Sequence, residues 1–248
     1  MSTHPFSQPQ PECVGTTTSD RVNAHRASLF LRSLPRSDLS RMEQHLDIKT
    51  FERDEVVWND GDVIDRMVFP HNMTLAFVCT LSDGTTVESA TVGIEGYVGV
   101  ESLIGSTTAV STIIAGGGQA STIPLEQILI LTGQMPTLRA AMLAYARSYM
   151  ALLFRLAACS AVHSLKQRTC RRLLLALAQT GQPSLAMTQD DLARALGVGR
   201  TSVNQVCKEL RAENLISYSR GHIQINNVEA MTSTACDCYL YLKDTLLI

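Results

Sequence analysis

Residues 187–213, MTQDDLARALGVGRTSVNQVCKELRAE, limit the possible folds more than any other stretch of the chain. Thr188 is a good helix N-cap, and Met187 is placed to staple to Leu192 across it. A first helix over 189–196 then turns Leu192 and Leu196 inward, with the small Ala193 where a second helix crosses closely. Gly197 supplies the left-handed backbone conformation that a side chain resists. Val198, Val203, Val206 and Leu210 mark the inner face of the second helix. A small residue, a glycine four on, and buried valines six and nine beyond that glycine describe a helix-turn-helix.

The outer face of the second helix carries Arg200, Thr201, Ser202, Asn204, Gln205 and Lys208. Arginine can fork onto guanine O6 and N7, and Asn or Gln can pair with adenine N6 and N7. Hydroxyls and lysine at helix margins (Thr188, Ser202, Lys208) suit phosphate oxygens, which fix register without reading sequence. A merely solvated face more often alternates Glu with Lys. The following LISYSRGHIQI reads as two strands about Arg220-Gly221, a wing whose Arg220 can reach a phosphate. Charge agrees with this placement. The chain has 21 Lys/Arg and 23 Asp/Glu, yet residues 163–222 hold nine basic against four acidic residues. An acidic body with one basic block touches phosphates with one region only.

The rest of the 248 residues divide by texture. With 45% hydrophobic and 18% charged residues the chain is globular. Residues 1–22, with Pro5, Pro9 and Pro11 among Ser, Thr and Gln, read as a flexible tail. Residues 26–46 have helical spacing broken at Pro35, predicting two short helices. From Glu55 to about Pro124 come short β-rich runs: EVVWN, RMVF, MTLAFVCTL, TTVESATV, VSTIIA and QASTI. A hairpin is expected at Asp83-Gly84. Many short strands at this spacing argue for an antiparallel roll. The expected units are the tail at 1–22, a roll at 23–134, a long helix and hinge at 135–163, and a winged helix-turn-helix at 164–248.

The long helix carries a heptad seam of Leu138, Met142, Tyr145, Tyr149, Leu152, Leu156 and Cys159, ending near His163. A second apolar stripe (Leu143, Met150, Leu153, Phe154, Ala157) runs beside it. One stripe can pack on the chain's own roll and the other needs a partner. The 3.5-residue period assigns the seam to a homodimer, the alternative being a helix buried on all sides within one subunit. Ser164 and Gln167 form a capping box that opens the next helix, which Gly181 ends.

A glycine-punctuated roll, a long dimerising helix and a winged helix-turn-helix ending in NLISYSRGHIQI together resemble the Crp/Fnr family of bacterial transcription regulators. The resemblance spans residues 26–242 and is strongest at 187–225. It implies an α+β fold with a cyclic-nucleotide-binding-like antiparallel β-roll. It also implies a homodimer on near-palindromic double-stranded DNA, its two recognition helices about 34 Å apart, and RNA polymerase as a partner. By position Arg200, Thr201 and Gln205 match the family's base-reading residues, and Ser202 and Lys208 its phosphate contacts. Thr201 stands where many members carry Glu, so a different half-site is expected.

Cyclic-nucleotide members hold the ribose with a Glu just after a glycine and the phosphate with an Arg-Ser pair. Here Val100 follows Gly99, and Val110-Ser111 replaces the pair. Glu101 can substitute for the ribose contact only by a one-residue slip, and nothing replaces the Arg. A buried phosphate without a cation is costly, so cyclic AMP or GMP is not the expected effector, which stays unknown. Of the seven cysteines, only Cys13 and Cys79 lie where the iron–sulfur branch places its ligands, too few for four thiolates.

Cys236 and Cys238 are expected on one Asn227-capped helix, where i, i+2 side chains point about 200° apart and cannot share a metal. They and Cys207 are assigned to packing, and neither a metal nor a cofactor is expected. No GxSxG, HExxH or Walker pattern points to an enzyme. The arginines at 139, 147 and 155 interrupt the most apolar stretch, so no membrane span is expected and the setting read is cytoplasmic. Two alternatives stay open: an adaptor acting through protein contacts, and a regulator switched by thiol oxidation.

Overall fold

A computed structural model describes residues 24–246 apart from 104, 106 and 220. The tail at 1–22 and Cys13 lie outside the described residues. The chain is α+β, as the strand runs and helical periods predict. Helices α1 (Leu29–Ser33) and α2 (Arg36–Glu43) meet at Pro35, which precedes the first turn of α2 and cannot continue α1. Seven strands follow: β1 (Asp47–Phe51), β2 (Val56–Trp58), β3 (Arg66–Pro70), β4 (Thr74–Thr80), β5 (Thr86–Val92), β6 (Ser111–Gly116) and β7 (Gly118–Pro124).

They form two antiparallel sheets, ordered β1-β7-β3 and β2-β6-β4-β5. The six β-rich runs correspond to β2 through β7. Strand β1 is the one missed: four of its five residues are exposed, so no apolar alternation marks it. The β4–β5 hairpin turns at Gly84, φ 83°, and Asp83 accepts the Thr85 amide at 2.9 Å.

Helix α3 (Leu125–Gln134) leads into α4 (Pro136–Val162), a 27-residue helix that lies against the roll. Here the structure corrects the assignment of the seam. Leu138 and Met142 are completely buried, Tyr145, Tyr149 and Leu152 nearly so, and Leu156 packs on the same core, all within one subunit. Cys159 is buried in a small separate cluster with Cys236 and Cys238.

The roll supplies aromatic partners that cover the seam. Tyr97 packs tilted against Tyr145 with ring centroids 4.7 Å apart and donates its hydroxyl to the Met142 carbonyl at 3.0 Å, and Phe77 meets Tyr149 at 5.7 Å. Gly96 is fixed by this contact, because a Cβ there would lie 1.9 Å from the Tyr145 hydroxyl. The face of α4 left bare is the second stripe. Leu143, Met150 and Leu153 are exposed, and Phe154 is 70% exposed.

His163 breaks the helix with an extended backbone, and the Ser164–Gln167 capping box starts α5 (Leu165–Thr180). Gly181, φ 67°, closes α5. Next come β8 (Ser184–Leu185), α6 (Gln189–Leu196), α7 (Arg200–Ala212), β9 (Ile216–Ser219), β10 (His222–Ile225), α8 (Val228–Thr234) and α9 (Cys238–Leu246). Asn227 does cap a helix, accepting the Ala230 amide at 2.9 Å. That helix, α8, stops at Ala235, whose backbone is extended. Cys236 therefore sits in a break and Cys238 opens α9, so the 200° argument against a shared metal fails.

Candidate nucleic-acid interface

Two short helices set at a glycine turn build this surface. The N-cap of α6 is a reciprocal pair: Thr188 Oγ1 accepts the Asp191 amide at 3.1 Å, and Asp191 accepts the Thr188 amide at 2.7 Å. Gly197, φ 62°, turns the chain, and its amide bonds back to Ala193 and Arg194. The inner faces close on Leu192, Leu196, Val203, Val206 and Leu210, all buried, with Cys207 among them. One apolar stripe on α7 leaves the opposite side to water.

That opposite side holds the residues selected from sequence. Arg200, Thr201, Ser202, Gln205 and Lys208 are exposed, and Asn204 is partly so. Two of them have local partners. Arg200 Nε lies 3.2 Å from Asp190 Oδ1, an exposed ion pair worth at most about 1 kcal/mol. Gln205 donates to Glu209 at 3.0 Å. Neither tether is strong enough to withhold the group from a nucleobase.

Thr188 is less free. Its hydroxyl is held by Asp191, which despite burial is kept below the usual carboxylate range by the Thr188 bonds and by Arg53. Arg220 lies outside the described residues. Its neighbours form the expected wing, with β9 pairing antiparallel to β10 and Gly221 at φ 83°. Asp190 and Glu209, acids beside the basic face, were missed, since neither has a spacing that marks it.

The helix-turn-helix is seated on the roll. A Cβ on Gly197 would be 3.2 Å from Val87 of β5. Arg172 of α5 pairs with Glu88 at 2.9 Å, both almost buried, and Arg53 bridges to Asp191 at 2.6 Å and to the Ala186 carbonyl at 2.9 Å. Gln179 donates to the buried Glu95 at 2.9 Å. Burial pushes the Glu95 carboxyl up, against the opposing pull of bonds from Gly93 and Gln179.

In the roll, Ser111 accepts the Asp60 amide at 3.1 Å, and Glu101 lies in a 3-10 turn (Val100–Leu103) where burial raises its carboxyl above the usual range. No helix among the described residues is long and apolar enough to cross a membrane.

Comparison with known proteins agrees with this surface. Residues 167–234 match the Crp-like helix-turn-helix domain. No curated protein matches the chain in sequence. Among solved structures, the fold is similar to the c-di-GMP-responsive global regulator CLP of Xanthomonas campestris, at TM-score 0.65 and 16% identity, covering 78% of this chain and 100% of that one. FixK2 of Bradyrhizobium japonicum gives 0.64 and 14%, over 77% and 98%. TTHA1359, a CRP/FNR-family regulator of Thermus thermophilus, gives 0.56 and 24%, over 76% and 98%.

The chain thus joins a Crp-like helix-turn-helix to the CRP/FNR fold. That pairing supports a DNA-binding transcription regulator.

Proposed function

We propose that this chain, with its Crp-like helix-turn-helix on a CRP/FNR fold, is a cytoplasmic homodimer that reads a near-palindromic operator and acts on RNA polymerase. The observation that carries the reading is the bare polar face of α7. Arg200, Thr201, Asn204 and Gln205 read base edges in the major groove, while Thr188, Ser202, Lys208 and the wing's Arg220 hold phosphates. Two copies set their α7 helices one helical turn, about 34 Å, apart.

The dimer is built on the exposed stripe of α4: Leu143, Met150, Leu153 and Phe154. A contiguous apolar face of this kind, left bare on a helix whose other apolar stripe is buried, marks a protein contact. The roll does not take a cyclic nucleotide. Val110 and Ser111 offer no cation to a phosphate, and the Ser111 hydroxyl already accepts from Asp60.

A binding selection from genomic fragments, with and without cyclic mono- and dinucleotides, tests the proposal. Enrichment of one inverted-repeat sequence, with salt-sensitive retention, is the expected result. Recovery of fragments without a shared sequence overturns it.

A further inference from the structure

The end of α4 and the break between α8 and α9 bring together four donors far apart in sequence. Cys159 and His163 are four residues apart at the end of α4, so their side chains reach the same side. Cys236 and Cys238 flank Asp237 where α8 has ended and α9 begins. All four donor atoms lie within 4.8 Å of one another. Cys159 Sγ is 3.5 Å from Cys236 Sγ, and Cys238 Sγ is 3.7 Å from His163 Nδ1. The three thiols are buried and the imidazole is partly exposed.

We propose that Cys159, His163, Cys236 and Cys238 bind one divalent metal ion of the zinc class in a closed tetrahedral site. With metal–sulfur bonds of about 2.3 Å, a tetrahedron has edges of about 3.8 Å, close to the two separations above. A cluster of several irons would need its ligands spread wider. The second nitrogen of His163, Nε2, lies 3.5 Å from Asp237 Oδ1. A carboxylate behind a ligating imidazole fixes the tautomer that leaves Nδ1 free to bind.

Three thiolates, one imidazole and a dication sum to one negative charge. Arg171 of α5 is buried, with no partner at its Nε among the described residues. On binding, three S–H protons leave to solvent as three sulfur–metal bonds form, and no electron moves. The bonds join the end of the dimer helix to the tail of the winged unit across the Val162–Ser164 break, so the metal holds the angle between them.

The test uses the full reduced chain and cobalt(II) alone, followed by zinc(II). We expect one cobalt per chain, with the intense visible bands and sulfur-to-cobalt charge transfer of tetrahedral thiolate coordination, and displacement by zinc. Cys236→Ser and Cys238→Ser should weaken binding at least tenfold, while Cys79→Ser leaves it unchanged. Asp237→Asn, at an exposed position where folding is not at risk, should weaken it about 10- to 100-fold.

A weak octahedral spectrum, uptake well below one per chain, or full affinity in both the Cys238→Ser and Asp237→Asn variants overturns the site. So does a reduced chain that takes up no metal yet readily forms a Cys159–Cys236 disulfide, which makes the cluster a redox pair. None of these readouts involves DNA, so the metal site and the operator reading can fail separately.

Discussion

Helices α4 and α7 were both read from their periodicity, and the structure treats them differently. On α7 one apolar stripe (Val203, Val206, Leu210) faces inward and the polar face is bare. On α4 the regular 3.5-residue seam lies inside its own subunit and the less regular stripe is outside. A heptad period says that a stripe is covered and is silent about which chain covers it. Tyr145 and Tyr149 held the contrary signal: bulky aromatics suit the Phe30, Phe77 and Tyr97 rings that meet them better than the narrow seam of a two-helix coil.

The largest effect separating the two faces of α4 is expected from Met150→Asp, at a position 56% exposed in the subunit. Each dimer would bury two uncompensated carboxylates at a cost of about 3–5 kcal/mol in association, read as a monomer by analytical ultracentrifugation, with the melting curve of the chain little changed. A surviving dimer would move the contact off this stripe. Met142→Ala should do the reverse, costing about 2–5 kcal/mol of folding stability in urea while the folded fraction still dimerises. Loss of dimer without loss of stability would restore the seam as the contact.

On α7, Arg200→Ala should cost about 1–3 kcal/mol at the specific site and relax discrimination at one base pair, without affecting folding. Unchanged sequence preference in a randomised-site selection argues against base reading there. Arg220→Ala in the wing should weaken binding to all sequences alike and lower the salt slope by about one.

The last effect is one of acidity in the roll that supports α4. His71 and His25 both bond Ser121 Oγ at 2.7 Å, and burial, then the charge of His25, hold His71 down at about 4. The unfolded chain therefore takes this proton first. The stability from His71 is complete above about pH 6.5 and lost as pH falls towards 4, seen as a lower urea midpoint that His71→Gln flattens.

Legibility in the sequence follows the same division. Elements whose signal is local were readable to the residue: the Thr188 cap, the Gly197 turn, the Gly84 hairpin and the Ser164 box. Each is fixed by backbone conformations or hydrogen bonds within four residues. Strand β1, DIKTF, was not readable, because an exposed edge strand has no need of alternating apolar side chains. Nor was the convergence of Cys159 with Cys236, since it depends on a helix ending at Ala235 and on α9 folding back along α4, where Arg155 lies 4.1 Å over the Tyr241 ring. The polar face of α7 was legible because its residues lie on one short helix.

The seat of the helix-turn-helix on the roll includes two charged pairs, Arg172 with Glu88 of β5 and Arg53 with Asp191. Drawing the helix-turn-helix away from the roll would return these four charges to water, which welcomes them. At these two points the joint can part and rejoin without exposing a sticky surface.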